Sequence, residues 1–306
     1  MLLLVYSEQV KVKDDCPKAF NGAYTYIDKK EVLIYRCDRG SKYQNGQRMN
    51  DNSVWIQYED KNIKVPFQDP KSFKNQFAGA EDPRVFIYNN EQYIYYSGSS
   101  PYQIDPVRSI VIHKLADAMA GKPTYKFLYP TLTKDHASML DKNWLMFDNG
   151  TAMNAVYTLN PFVLGYVNKR SLELLYETNY DCLQKYKIAH IGSNGIKLMM
   201  GMPMIAFIMS VKTFLNGGQQ YKNYILWMNT HYPHDLYGVS DEWTTDEPSQ
   251  YFKFYQNIAI EGKSTLDAHR SDTLVISGGV DDYAIFKKRI PAYEFMDLKI
   301  SKCTRI

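Results

Sequence analysis

"AGAEDPRVFIYNNEQYIYYSG", residues 78–98, sets the reading of the whole chain. Val85–Tyr88 and Tyr93–Tyr96 are runs of β-branched and aromatic residues, the composition of a pleated, half-buried strand. Asn89–Asn90 lies between them, and asparagine accepts the positive φ that a tight hairpin turn demands. The segment therefore predicts a β-hairpin. At its mouth stand Glu81, Asp82, Pro83 and Arg84. Pro83 stiffens the entry to the strand. The two acids and the arginine are either a solvated turn or part of a site, and the rest of the sequence has to decide.

The same design recurs on both sides. "AYTYIDKKEVLIYR" (23–36) is a strand-like run, a polar turn and a second run ending in Arg36. "FVLGYVNKRSLELLYE" (162–177), "NYILWMNTHYPHDLYGVS" (223–240) and the pair within 251–279 continue it. "IKLMMGMPMIAFIMSV" (196–211) is interrupted by Lys197, Gly201 and Pro203 and reads as two buried strands around a turn. Helix signals are few: 108–122 carries one short helix or a strand and turn, and "DPKSF" (69–73) is an irregular connection. Hairpins spaced by roughly 50 to 60 residues, almost without helix, predict a repeated four-stranded unit. At that spacing the expected architecture is all-β, a five-bladed β-propeller with residues 1–306 as a single domain; a β-sandwich pair is the competing architecture.

Composition narrows the function classes. The chain has 306 residues, a net charge of +3 and 26 tyrosines, and its basic residues are scattered rather than clustered. That argues against a dedicated nucleic-acid binder. Tyrosine richness suits sheets and sugar-stacking surfaces. No apolar run reaches the roughly 20 residues of a membrane span, and the start "MLLLVYSEQ" lacks the form of a signal peptide. Cys16, Cys37, Cys182 and Cys303 have no ligand-like spacing. They read as buried or free thiols of a reducing compartment, so the chain is expected to be soluble and cytoplasmic.

Phosphate-cradling glycine motifs are absent, and so is an Asp-x-Asp metal pair. His231 and His234 flank Pro233 without an evident third ligand, so no metal site is expected. Against these absences, charge gathers at strand ends: Arg36; Glu81, Asp82 and Arg84; Lys142 and Asn143; Asp281 and Asp282. In a propeller such ends converge on the central channel. Carboxylates beside cations are what glycosyl transfer needs: one acid to protonate a leaving oxygen, and cations to hold an anionic nucleophile or leaving group. Trp55, Tyr96, Trp144, Tyr157 and Trp227 are either sugar platforms or core.

The ordered pieces "FNGAYTYIDKKEVLIYR", "GAEDPRVF", "DKNWLMF", "VYTLNPFVLGYV", "IGSNGI", "YPHDLYGVS" and "LVISGGVDD" together resemble glycoside hydrolase family 130, over residues 19 to 286. These are five-bladed propeller enzymes, largely β-mannoside phosphorylases with related β-1,2-mannosyltransferases. The resemblance implies Asp82 as general acid, acting through a sugar hydroxyl. It implies Arg36, Glu81, Arg84, Lys142, Asn143 and Asp282 in substrate binding. It further implies inversion, inorganic phosphate or a sugar phosphate as co-substrate, a mannoside or oligosaccharide partner, and no metal or other cofactor. Phe162, Met209 and His190 depart from the family, which tends to carry histidines at the first two positions and an arginine at the third. Hydrolysis, with Glu177 and Glu261 as candidate water-activating acids, and a non-catalytic sugar-binding propeller are the alternative functions.

Overall fold

The structure, a computed structural model, describes residues 8–12, 16–44, 47–67, 79–99, 108–130, 143–186, 188–215, 218–243, 253–280 and 284–306. The strand β1 (Glu8–Val10) is followed by an antiparallel meander of β2 (Ala19–Ile27), β3 (Lys30–Gln44), β4 (Gln47–Tyr58) and β5 (Lys61–Lys64). A second meander comprises β6 (Glu81–Tyr88), β7 (Glu91–Ser99), β8 (Arg108–Lys114) and, after helix α1 (Leu115–Met119), β9 (Lys126–Pro130). A third comprises β10 (Leu145–Asp148), β11 (Met153–Leu159), β12 (Phe162–Asn168) and β13 (Ser171–Thr178). Parallel pairing of β13 with β9, Ser171 opposite Tyr129, joins these two meanders into one eight-stranded sheet.

Further along, β14 (Ala189–Ile191) and β15 (Ile196–Leu198) both pair with β16 (Met204–Leu215), which continues into β17 (Gly218–Asn229) and β18 (Leu236–Ser240). The last meander is β19 (Lys253–Ile260), β21 (Thr273–Val280) and β22 (Ala284–Pro291), while the two-residue strand β20 (Asp267–Ala268) lies beside β15. Both chain ends complete sheets. β1 adds to the edge of β22, and β23 (Ile300–Lys302), after helix α2 (Ala292–Met296), adds to β18. None of these sheets closes on itself.

Local chemistry explains the turns. Asp28–Lys29 and Asn89–Asn90 have φ of 49°, 66°, 50° and 59°, the paired positive values of a two-residue hairpin turn. The expected hairpins over 23–36 and 84–98 are β2–β3 and β6–β7. Segment 196–211 forms β15 and the start of β16, and 108–122 holds both a strand and a short helix. Segment 69–73 lies outside the described residues.

The faces between sheets are apolar. Trp144, Tyr95, Phe86 and Tyr157 share one buried cluster, and Tyr255, Trp227, Trp243 and Phe295 share another. Burying an aromatic removes about 150–250 Å² from water, an upper bound of roughly 4–6 kcal/mol each in transfer free energy. All five aromatic side chains considered as sugar platforms, Trp55, Tyr96, Trp144, Tyr157 and Trp227, are buried in these clusters or their neighbours. Phe162 and Met209 are fully buried together in a third cluster, so neither faces a ligand.

The cysteine reading is overturned. Cys16 is bonded to Cys37, and Cys182 to Cys303. The partners lie 21 and 121 residues apart, so spacing carried no signal. Strand pairing brings the first pair together, with Ala19 opposite Cys37. The return of the C-terminus beside Asp181 brings the second, Thr304 N donating to Asp181 Oδ1 at 2.8 Å. Disulfides persist in oxidising compartments, which removes the free thiols on which the cytoplasmic expectation rested. Among the described residues no helix is long and apolar enough to cross a membrane.

Candidate active site

Four of the five meanders meet through their first strands: β2 packs on β6 and β19, β6 on β10, and β19 on β6. Carboxamides fill the place where they meet. Asn257 Nδ2 donates to Tyr24 O at 2.7 Å, and its Oδ1 accepts from Val85 N at 3.2 Å. Gln256 Nε2 donates to Pro83 O at 3.1 Å, and Asn194 binds both backbone polar groups of Ile258 at 2.6 and 2.9 Å. Neutral amides satisfy backbone groups that a pleated ladder leaves open here, at no charge-burial cost. Ser193 and Asn194 of the "IGSNG" stretch are thus spent on structure; Ser193 Oγ accepts from Ile208 N and donates to Asn194 O.

Above this plug the charged residues converge. Arg36 lies on β3 and spreads its guanidinium over three partners: Nε to Asn52 Oδ1 at 3.2 Å, Nη1 to Asp82 Oδ1 at 3.2 Å, Nη2 to Glu81 Oε1 at 3.1 Å. Its flat face stacks on Phe20, 4.7 Å from the ring centroid. Asn52 Nδ2 donates to Glu81 Oε1 at 2.8 Å, and Asn21 Nδ2 to Asp82 Oδ1 at 2.7 Å. Donors on two sides suit an anionic carboxylate at Asp82. The side chains of Arg36, Glu81 and Asp82 are 16%, 9% and 11% exposed, enough for contact with a ligand.

Backbone irregularity aims these groups. Asn21 and Asp82 have φ of 53° and 54°, and each sits in a register break, Phe20/Ala23 in β2 and Glu81/Arg84 in β6. A bulge turns a side chain out of the alternation that would have sent it to the other face. Two glycines make room. A Cβ on Gly279 would lie 2.1 Å from Asn21 Oδ1, and one on Gly79, at φ 91°, 2.1 Å from Asn52 O.

Arg84 takes a different position. It is 1% exposed; Nη1 donates to Trp144 O at 2.9 Å, and Nη2 to Ile191 O at 2.7 Å and Asn143 Oδ1 at 3.0 Å. Its fork therefore ties β6 to the residues before β10 and to β14. Asn143, at φ 64°, is held by that contact. Lys142, Asp281 and Asp282 lie outside the described residues. The structure thus brings Arg36, Glu81 and Asp82 into one cluster and sets Arg84 and Asn143 in a second. Asn21 and Asn52 were missed in the sequence; the Asn21–Gly22 pair inside a strand-like run was the available signal.

His234 is buried against Phe147, Nδ1 beside Asn229 O at 3.2 Å and Nε2 beside Asn149 Nδ2 at 3.3 Å. No group of three or more potential metal ligands occurs among the described residues. A cavity of about 230 Å³ lined by Phe86, Asp148, Lys197 and Asp267 opens at the other ends of β6 and β10. Its Asp148 carboxylate is occupied by Asn89 N at 3.0 Å and Gly150 N at 2.7 Å. The Arg36 fork on two acids, set in register breaks where first strands meet, marks the Arg36–Asp82 end as the candidate site.

No sequence-family model and no curated protein matches the chain. Solved structures do. A β-1,2-mannobiose phosphorylase from Listeria innocua, bound to β-1,2-mannobiose, superposes with a TM-score of 0.60 at 13% identity, over 96% of this chain and 98% of that one. A mannose phosphorylase from Leishmania mexicana, bound to phosphate, gives 0.55 at 14% identity over 97% and 92%. A structure described within the GH130 family of mannoside phosphorylases, which includes hydrolases of β-1,2-mannosidic linkages, gives 0.50 at 13% over 94% and 86%. Over nearly its whole length, the chain has the fold of the GH130 mannoside phosphorylases, the family its ordered motifs resemble.

Proposed function

We propose that the protein is an inverting glycosyl-transferring enzyme that acts on β-mannosides or a closely related sugar, with Asp82 as general acid. In this reading the five meanders are the blades of a single-domain five-bladed propeller, and the Arg36–Asp82 end is the mouth of its channel. The carrying observation is the Arg36 fork, which gathers Glu81 and Asp82 at a bulge whose backbone aims both acids the same way.

The chemistry follows from that sharing. A phosphate dianion is a strong bidentate partner for guanidinium, so an incoming phosphate draws Arg36 away from the two acids. Asp82, left beside the like charge of Glu81, then takes up from solvent water the proton that general-acid catalysis requires. It passes that proton, through a sugar hydroxyl, to the departing glycosidic oxygen. Phosphate attacks the opposite face of the sugar, and the configuration inverts. Arg84 and Asn143 sit behind the cluster and fix the strands that carry it, while Lys142 and Asp282 are the proposed remaining sugar and phosphate contacts. No metal takes part in this scheme, and phosphate or a sugar phosphate is a co-substrate.

The test is incubation of the protein with β-1,2-mannobiose, with and without inorganic phosphate. Mannose 1-phosphate formed only with phosphate supports phosphorolysis. Free mannose in both arms assigns hydrolysis. Saturable sugar binding with no product in either arm replaces catalysis with a binding role.

A further inference from the structure

We infer that the Cys16–Cys37 disulfide is a positioning element of the active site, a brace that holds Asn21 against Asp82 and fixes the strand from which Arg36 reaches. This rests on the reading of Asp82 as the acid. Cys37 follows Arg36 directly on β3, and its β2 partner is Ala19, one rung beyond the Phe20–Arg36 pair. Cys16 lies three residues before Ala19, and Asp38 N closes the end of the ladder on Lys18 O at 2.9 Å. Immediately inside that end the register breaks between Phe20 and Ala23, and Asn21 is turned out at φ 53° toward Asp82.

A bulge interrupts the ladder, and the last rungs of a strand pair open at low free energy. Here the bulge itself carries Asn21 and the first rung beyond it carries Arg36, two groups that grip Asp82. The covalent bond closes that open end. Its loop of 21 residues in sequence encloses Phe20, Asn21 and Arg36, and leaves out Asp82, the group they hold. Cys37 is fully buried and Cys16 nearly so, within a cluster that includes Tyr35 and Trp55. A bond so shielded is a standing brace and not a switch. The other disulfide, Cys182–Cys303, pins the C-terminus beside β13 and touches none of these residues, so it serves as an internal control.

The experiment follows the Asn21 side-chain amide by 15N–1H NMR in protein without substrate, assigned by its loss in Asn21→Ser. The variants are Cys16→Ser, which cuts the bond and leaves Cys37 in its buried place, and Cys182→Ala/Cys303→Ala as control. In Cys16→Ser the Asn21 amide signal shifts, and its exchange with water quickens by about tenfold; in the control it stays put. On the substrate that the unmodified protein turns over, Cys16→Ser loses about tenfold in kcat with little change in KM, since misplacing a reacting group slows the chemical step. An unmoved Asn21 signal in folded Cys16→Ser overturns the brace, as does a shift of equal size in the control. If Cys16→Ser does not fold, Cys16→Ala/Cys37→Ala takes its place under the same criteria. The NMR arm needs no turnover, so a protein inactive on every mannoside overturns the proposed reaction and leaves the brace to be judged by the amide signal.

Discussion

Asn21 donates to Asp82 across 2.7 Å, and both residues occupy left-handed backbone, at φ 53° and 54°. An amide–carboxylate bond thus links two bulged strands. Side chains that tolerate positive φ, asparagine and aspartate, stand at both of its ends.

That geometry separates two substitutions at Asp82. Asp82→Asn keeps the tolerance for left-handed backbone and an oxygen for Asn21 to donate to, but cannot deliver a proton. Turnover is expected to fall by at least about 10²-fold, with a melting temperature within a few degrees of the parent. Asp82→Ala loses the same activity and adds strain of about 1–2 kcal/mol. Steady-state rates and thermal unfolding of both variants check this; full activity in Asp82→Asn removes Asp82 from the chemistry.

Gly279→Ala tests the support behind Asn21. The new methyl would stand 2.1 Å from Asn21 Oδ1, nearer than any real contact, so the amide that holds Asp82 must shift. Overpacking of this kind costs about 1–3 kcal/mol of stability. The expected activity loss, about tenfold or more, exceeds what unfolding explains at a temperature where the variant is still folded. Rates measured well below the melting transition, with folded fraction followed by circular dichroism, make the comparison.

Arg84 is predicted to act on stability first. Its fork satisfies the carbonyls of Trp144 and Ile191 in a site from which water is excluded. Arg84→Lys retains the charge but offers one ammonium where a planar fork served two carbonyls and Asn143. Trp144 O keeps a second donor, the Tyr95 hydroxyl at 3.0 Å, so the cost falls on Ile191 O and Asn143. A buried acceptor left unpaired costs about 1–3 kcal/mol, and a loss of about 2 kcal/mol is expected in urea unfolding. An unchanged unfolding midpoint contradicts the strut.

Much of this was legible in the sequence, for physical reasons. Alternation and Asn-Asn or Asp-Lys turns are local signals, so the hairpins β2–β3 and β6–β7 could be read directly. Arg36, Glu81 and Asp82 were legible as a group because charge recurs at successive strand mouths. Burial of Arg84 under three acceptors is not legible, since nothing in a sequence tells a solvent-facing arginine from a buried one. Asn21 and Asn52 stayed hidden because bulges and long-range pairing place them, and neutral amides leave no charge pattern. The disulfides were hidden likewise: partners 21 and 121 residues apart meet only after the strands pair.

Buried histidines give the fold an acid limit. Burial holds His113 and His234 below the ordinary histidine value. Carbonyl hydrogen bonds at Lys122 and Asn229 and the nearby Asp117 and Asp235 offset that only in part, and His231 adds to it at His234. Both imidazoles therefore stay neutral in the folded chain at a pH where the unfolded chain is already protonated. The unfolded state binds more protons below the usual value of about 6.5, so stability falls as the pH drops through and below it. Above that value the two histidines contribute no slope. Each adds at most about 1.4 kcal/mol per pH unit. Urea unfolding between pH 8 and pH 5 should show the decline starting near about 6.5. His113→Gln and His234→Gln, which remove the titrating group and keep a polar side chain, should each flatten it. A slope unchanged in both variants assigns the acid sensitivity to other groups.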